Sequence, residues 1–209
     1  MPSLVGSEMC IRDSAHGIKN VRVLDRTFNY NPRRAKELLR LFLEFHPDIR
    51  FHLEIHPALL SEELKEELSL LPKGLLHLEA GIQSLREPVL EKSRRMGKLS
   101  DALDGLRFLC ALPNMETHAD LIAGLPLYHL HEIFEDVRTL AGYAAGEIQL
   151  ESLKLLPGTE MRRRAEELGI KYSPLPPYEV LQTHEISVSE LQTALSLIHI
   201  SEPTRLGMI

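Results

Sequence analysis

Four short segments place an acid two residues after a histidine or glutamine: His52-x-Glu54, His77-x-Glu79, His118-x-Asp120 and Gln149-x-Glu151. On an extended strand, side chains two apart leave from the same face, so each pair presents two polar groups side by side. Between Leu76 and Gln83 the opposite face is apolar, with Leu76, Leu78, Ala80 and Ile82 alternating with His77, Glu79, Gly81 and Gln83. Imidazoles and carboxylates gathered from several strands can pair with one another, hold a divalent cation or hold a polar ligand. Burying them singly costs several kcal/mol each. Strands that turn such groups to one common face are therefore enclosing a site.

The elements that must position these pairs follow from period and punctuation. Residues 20–30 read as a strand with Val21, Val23, Asp25, Thr27 and Asn29 on one face. Pro32 suits the first turn of a helix reaching about Phe45, and Pro47-Asp48 ends it. A strand over 49–56 follows, then Pro57 and a helix to Leu71, whose Ser61-x-x-Leu64 spacing makes no capping box. Pro72-Lys73-Gly74 is a turn into the Leu76–Gln83 strand. Helices are expected from about Glu87 to Arg95 and, with Ser100 as N-cap, to Leu112. A strand over 116–123 ends at Gly124-Leu125-Pro126, a helix covers 130–143, and the last strand covers 147–156. Pro157-Gly158-Thr159 leads to a helix over 160–168 with Gly169 as C-cap, and the Pro-rich text beyond Ile170 contains one short helix near Val188.

Five strands alternating with helices make a parallel α/β sheet. A flat doubly wound sheet buries both faces and needs strands apolar throughout. Here one face of nearly every strand is polar, which fits a partial (β/α) TIM-like barrel with a polar interior. Glu54, Gln83, Asp120 and Glu151 each fall late in a strand, at the end where such barrels carry their sites. Gly81 and Gly124 would admit a ligand or a neighbouring backbone closely.

At 209 residues the chain suits one domain. A formal charge of −6 gives no electrostatic case for a nucleic-acid or membrane-surface partner. Two cysteines, Cys10 and Cys110, are too few for a disulfide framework, and a reducing cytoplasm is expected. Arg33-Arg34 and Arg162-Arg163-Arg164 read as solvated helix faces, and SPLPPYEV as a tether. The ends differ from everything between them. LVGSEMCIRDS (4–14) and LSLIHISEPTR (195–205) resemble translated sequencing-adaptor DNA. Residues 1–14 and 195–209 are therefore expected to be scars, Cys10 included, around an internal piece of a longer protein. Within that piece, 15–172 is expected to be the partial barrel and 173–194 the Pro-rich start of a C-terminal extension.

The order DRTFN, HLEIHP, HLEAGIQS followed by an arginine, DLIAGLP and LKLLPGT resembles radical S-adenosylmethionine enzymes. The nearest branch is the one of oxygen-independent coproporphyrinogen oxidase, the methylthiotransferases and the radical enzymes with an upstream cobalamin domain. The likeness covers about Asn20 to Ile186 and implies five of the six strands of that barrel. It implies that Glu54, Gln83, Arg95 and Asp120 hold S-adenosylmethionine and that the backbone around Leu155 lies beside adenine. The types agree: an ammonium suits Glu54, a carboxylate the fork of Arg95, and ribose hydroxyls Asp120 or Gln83. Asp25, Asn29, Glu79 and Glu151 are candidates for contact with substrate or for support of the pocket. The family's C-x-x-x-C-x-x-C loop, which binds a four-iron–four-sulfur cluster, has no counterpart here, and Cys110 in LRFLCAL reads as a small buried residue. The resemblance implies a parent enzyme that forms a 5′-deoxyadenosyl radical for hydrogen abstraction from an unidentified substrate, with cobalamin as an added possibility by analogy. The piece alone is expected to be inactive. An alternative is a barrel hydrolase with a divalent metal held among His52, Glu54, His56, His77, Glu79, His118 and Asp120.

Overall fold

The computed structural model describes residues 17–45, 48–143 and 147–196. Pro47 and the two adaptor-like ends, apart from Leu195 and Ser196, lie outside them. Five strands form one parallel sheet in chain order: β1 (Asn20–Arg22), β2 (Arg50–Ile55), β3 (Leu76–Gln83), β4 (Glu116–Ala123) and β5 (Glu147–Ser152). Helices α1 (Pro32–Phe45), α2 (Glu62–Leu70), α3 (Glu87–Lys92), α4 (Leu99–Ala111) and α5 (Leu130–Ala141) carry the chain from each strand to the next. Then come α6 (Glu160–Arg163), an antiparallel pair β6 (Lys171–Tyr172) and β7 (Val180–Gln182), and α7 (Val188–Ser196). The sheet curls into half of a barrel.

Alternation decides which face goes where. On β3, Leu76, Leu78, Ala80 and Ile82 are buried while His77, Glu79, Gly81 and Gln83 are half-buried. Phe51, Leu53, Ala119, Leu121 and Leu150 extend the apolar face across the sheet, against Leu39, Leu64, Leu106, Leu109 and Ile133 from the helices. Each such buried Leu or Phe adds about 1.5–3 kcal/mol, so a slip of one residue would bring every strand's polar set into this layer. The helices lie on the apolar side and leave the polar side as the inner face. None of the described helices is long and apolar enough to cross a membrane.

Several boundaries differ from the sequence expectation for local reasons. The strand expected to Tyr30 ends at Arg22, because the Asp25 carboxylate accepts from Thr27 N (3.2 Å) and turns the chain. Val21, Val23, Asp25, Thr27 and Asn29 therefore share no face. The segment after Pro57 is a single 3-10 turn (Pro57–Leu59), and the helix restarts with Ser61 as its N-cap, the hydroxyl accepting from Leu64 N. Lys98, not Ser100, occupies the N-cap of α4. The α-helix at Glu160 lasts one turn, although Gly169 does take the left-handed conformation (φ +63°) expected beyond it. The β6–β7 hairpin was not foreseen. It forms a separate two-stranded sheet, joined to the chain just after β5 where Val180 N donates to Leu153 O (2.8 Å) and Leu155 N to Tyr178 O (2.9 Å). Gly124, at φ +87°, makes room for it, with Val180 Cγ1 lying 3.2 Å from where a Cβ would stand.

Candidate functional site

Register sets the inner-face residues in rows. Arg22 pairs with His52, His52 with His77 and His77 with Glu116; above them run Glu54, Glu79, His118 and Glu147; above those, Gly81, Asp120 and Gln149. A bulge after Gly81 ends β3, and Gln83 takes a left-handed conformation (φ +74°).

At the carboxyl end, Gln83, Arg95, Gly81 and Asp120 come together. The loop after α3 folds Arg95 back over β3, where its Nη2 donates to Gly81 O (2.6 Å). A Cβ on Gly81 would stand 2.6 Å from Gln83 Nε2 and 3.2 Å from Arg95 Nη2, so a larger residue there would displace the ends of both side chains. Burial lowers the Arg95 pKa from its ordinary value, yet a guanidinium remains charged. Gln83 Oε1 and Asp120 Oδ1 are buried and have no hydrogen-bond partner among the described residues. Burial first, then the charges of Glu79, Glu151 and Glu54, pushes the Asp120 carboxyl above the usual carboxylate range.

Lower on the same face the groups are paired. Arg22 donates to Glu79 (2.7 Å) and Glu54 (3.3 Å), and His52 Nε2 lies 2.7 Å from Glu79. Arg50 donates to His77 Nδ1 (2.6 Å) and pairs with Glu116, and His77 Nε2 meets His118 Nδ1 at 2.7 Å. His118, followed by His52, Asp120 and Arg22, holds the Glu79 carboxyl below its ordinary range despite burial. Burial above all, helped by His118 and Arg50, lowers His77 to about 4, so it is neutral at pH 7. A pocket of about 370 Å³, lined by Asn20, Arg22, Arg50, His52 and His77 among others, opens at the foot of these strands. A larger cleft, about 670 Å³, lies between α6 and the hairpin and shares no residue with the inner face.

The remaining expected site residues lie elsewhere or are already engaged. Asp25 pairs with Arg34 (2.6 Å). Asn29 is fully buried, its amide bonded to both N and O of His56 (2.9 Å each), so it fastens β1's exit to the end of β2. Leu155 is buried, with its N bonded to Tyr178 O and its O to Arg162. Glu151 is exposed beside Lys154. Of the seven residues in the metal alternative, only His52, Glu79 and His118 bring ligand-type atoms within 4.8 Å of one another. His56 does not join them. It is buried beside Gly97, and desolvation, then Arg95, lowers it to about 4. Cys110, half-buried on α4, has its thiol pushed up to about 11 by burial.

Two sets of residues escaped the sequence reading. Arg22 and Arg50 reach the inner face, and strand period alone could have placed them there, since each is flanked by apolar residues. Asp136 on α5 had no such signal. Its carboxylate accepts from Leu85 N (2.7 Å), Tyr128 OH (2.6 Å), Arg86 Nε (2.9 Å) and Ser84 Oγ (3.3 Å). It thereby pins the turn that follows Gln83.

No protein-family model matches the chain, and the comparison with curated proteins finds no relative. Solved structures do match. The radical S-adenosylmethionine methyltransferase TsrM from Kitasatospora setae, with cobalamin and a [4Fe-4S] cluster bound, superimposes with TM-score 0.64 at 19% identity, over 88% of this chain and 39% of that one. TsrM with tryptophan substrate and the analogue aza-SAM also gives 0.64, at 20% identity, over 90% and 38%. Coproporphyrinogen III oxidase (HemN) from Escherichia coli, a radical SAM enzyme, gives 0.58 at 16% identity over 81% and 37%. The chain thus spans about two-fifths of the length of these structures. Its curled five-stranded half-barrel is similar in fold to part of these radical S-adenosylmethionine enzymes.

Proposed function

We propose that the chain is the cosubstrate-binding part of a radical S-adenosylmethionine enzyme. The observation that carries this reading is the cluster at the carboxyl end: one half-buried guanidinium beside two buried oxygens, Gln83 Oε1 and Asp120 Oδ1, that lack partners among the described residues. Buried acceptors without donors are costly, and a ligand rich in donors relieves that cost. S-adenosylmethionine fits the set. Its carboxylate suits Arg95, its ribose hydroxyls suit Asp120 and Gln83, and its ammonium suits Glu54 one row below. Leu155 takes part through its position alone, because its N and O are already bonded. Glu79 supports Asp120, while Asp25 and Asn29 shape the neighbouring wall.

The four-iron–four-sulfur cluster does not fit this chain. Cys10 and Cys110 are its only cysteines, and the described one is a half-buried thiol held protonated on a helix. Radical formation and hydrogen abstraction, and any use of cobalamin, therefore belong to the proposed parent, and this polypeptide by itself is inactive in them. The metal-hydrolase alternative is not favoured, since Arg22 already pairs with Glu79, one of the three groups that could hold the cation. Titration calorimetry tests the reading. Glu54→Ala and Arg95→Ala should each weaken S-adenosylmethionine binding about tenfold or more, and absence of binding by the unmodified chain would overturn it.

A further inference from the structure

We propose that Arg50, His77 and His118 form a proton relay that connects the pocket at the foot of the sheet to the Glu79–Asp120 carboxyl pair on the inner face. The inference goes beyond S-adenosylmethionine binding and does not depend on it.

The direction of the relay follows from donor counting. Arg50 can only donate, so the bond to His77 Nδ1 (2.6 Å) makes that nitrogen an acceptor. A neutral imidazole carries one N–H, which must then sit on His77 Nε2 and donate to His118 Nδ1 (2.7 Å). His118 is in turn fixed with its proton on Nε2. That atom is buried, has no hydrogen-bond partner among the described residues, and lies 3.7 Å from Glu79 Oε2 and 3.6 Å from Asp120 Oδ1. A small rotation brings it into hydrogen-bond range of either carboxyl. Three side chains from adjacent strands thus aim one N–H at the gap between two acids. His52, stacked on His77 at 4.8 Å and bonded to Glu79, flanks the path.

The step balances. When the carboxyl pair gives its proton to a molecule bound on the inner face, the vacated carboxylate takes the His118 Nε2 proton. His118 Nδ1 then takes the proton from His77 Nε2, and His77 Nδ1 gains one from water in the pocket as Arg50 moves aside. One proton enters and one leaves, and the starting tautomers return when the next proton passes outward along the same path, from the carboxyl pair through His118 and His77 to the pocket. The same geometry argues against a cation at His52, Glu79 and His118, because the His118 nitrogen that would bind it already carries hydrogen.

Long-range proton–nitrogen NMR on the full 209-residue chain reads the tautomers directly. The expected result is N–H at Nε2 in both His77 and His118. His77→Gln keeps a hydrogen bond to His118 but cannot pass a proton. It should slow solvent exchange of the His118 Nε2 proton about tenfold or more, equivalent to ~1.4 kcal/mol in the barrier. Arg50→Gln, a milder change, should release His77 into both tautomers. Nδ1–H on His118, unchanged exchange in His77→Gln, or stoichiometric binding of added Zn²⁺ with nitrogen shifts at His52 and His118 would each overturn the proposal.

Discussion

Asp120 and Asp136 are two buried aspartates with opposite surroundings. Asp136, at 1% exposure, takes four donors, three of them from the β3–α3 turn, which it ties to α5. Asp120, at 9%, sits on β4, beside the central strand, with other carboxylates around it and one oxygen unpartnered among the described residues. The first arrangement satisfies a charge and so stabilises the fold. The second keeps its carboxyl protonated and leaves one buried oxygen without a partner among the described residues, which a fold tolerates where something else is to bind. The Asp136 network holds rigid the turn that carries Gln83 beside Asp120.

Removing the satisfied partner should do the most damage. Asp136→Ala leaves Arg86 Nε, Tyr128 OH and Leu85 N without this acceptor and should cost about 3–5 kcal/mol in urea denaturation. A loss under about 1 kcal/mol would break the comparison. Asp120→Asn should do the reverse. Because its folded pKa lies above the unfolded value, the native state holds a proton that the unfolded chain releases. Stability from this group therefore falls as pH rises from the ordinary aspartate value, about 4, toward the raised one. The variant should be more stable than the unmodified chain at pH 7 and show a flatter stability–pH curve above pH ~4. Glu79 opposes this at low pH, since its depressed pKa contributes stability that is lost as pH falls below the ordinary glutamate value. Ser61→Ala, away from both acids, should cost only the N-cap of α2, about 1 kcal/mol by denaturation, and leave ligand binding unchanged.

The rows of the inner face were legible because strand period is two and the apolar residues obey it on β2 and β3. The carboxyl-end position of Gln83 and Asp120 followed from the turns after them. What escaped was set by contacts distant in sequence. Asn29, by sequence a candidate for contact with substrate or support of the pocket, is bonded to the backbone of His56, 27 residues on. The early end of β1 rests on one Asp25 side chain capping Thr27, a choice that competes locally with strand pairing. The hairpin formed by the Pro-rich segment is held to the chain just after β5 by backbone bonds that no pattern announces.

The central claim is that the Arg95 guanidinium receives a carboxylate beside Gln83 and Asp120. Comparing S-adenosylmethionine with 5′-methylthioadenosine, which lacks the aminocarboxylate, tests it most directly by calorimetry. The account predicts that the unmodified chain prefers S-adenosylmethionine by about tenfold or more, and that Arg95→Ala removes most of that preference. Equal binding of the two by the unmodified chain, or a preference that survives Arg95→Ala, would contradict it.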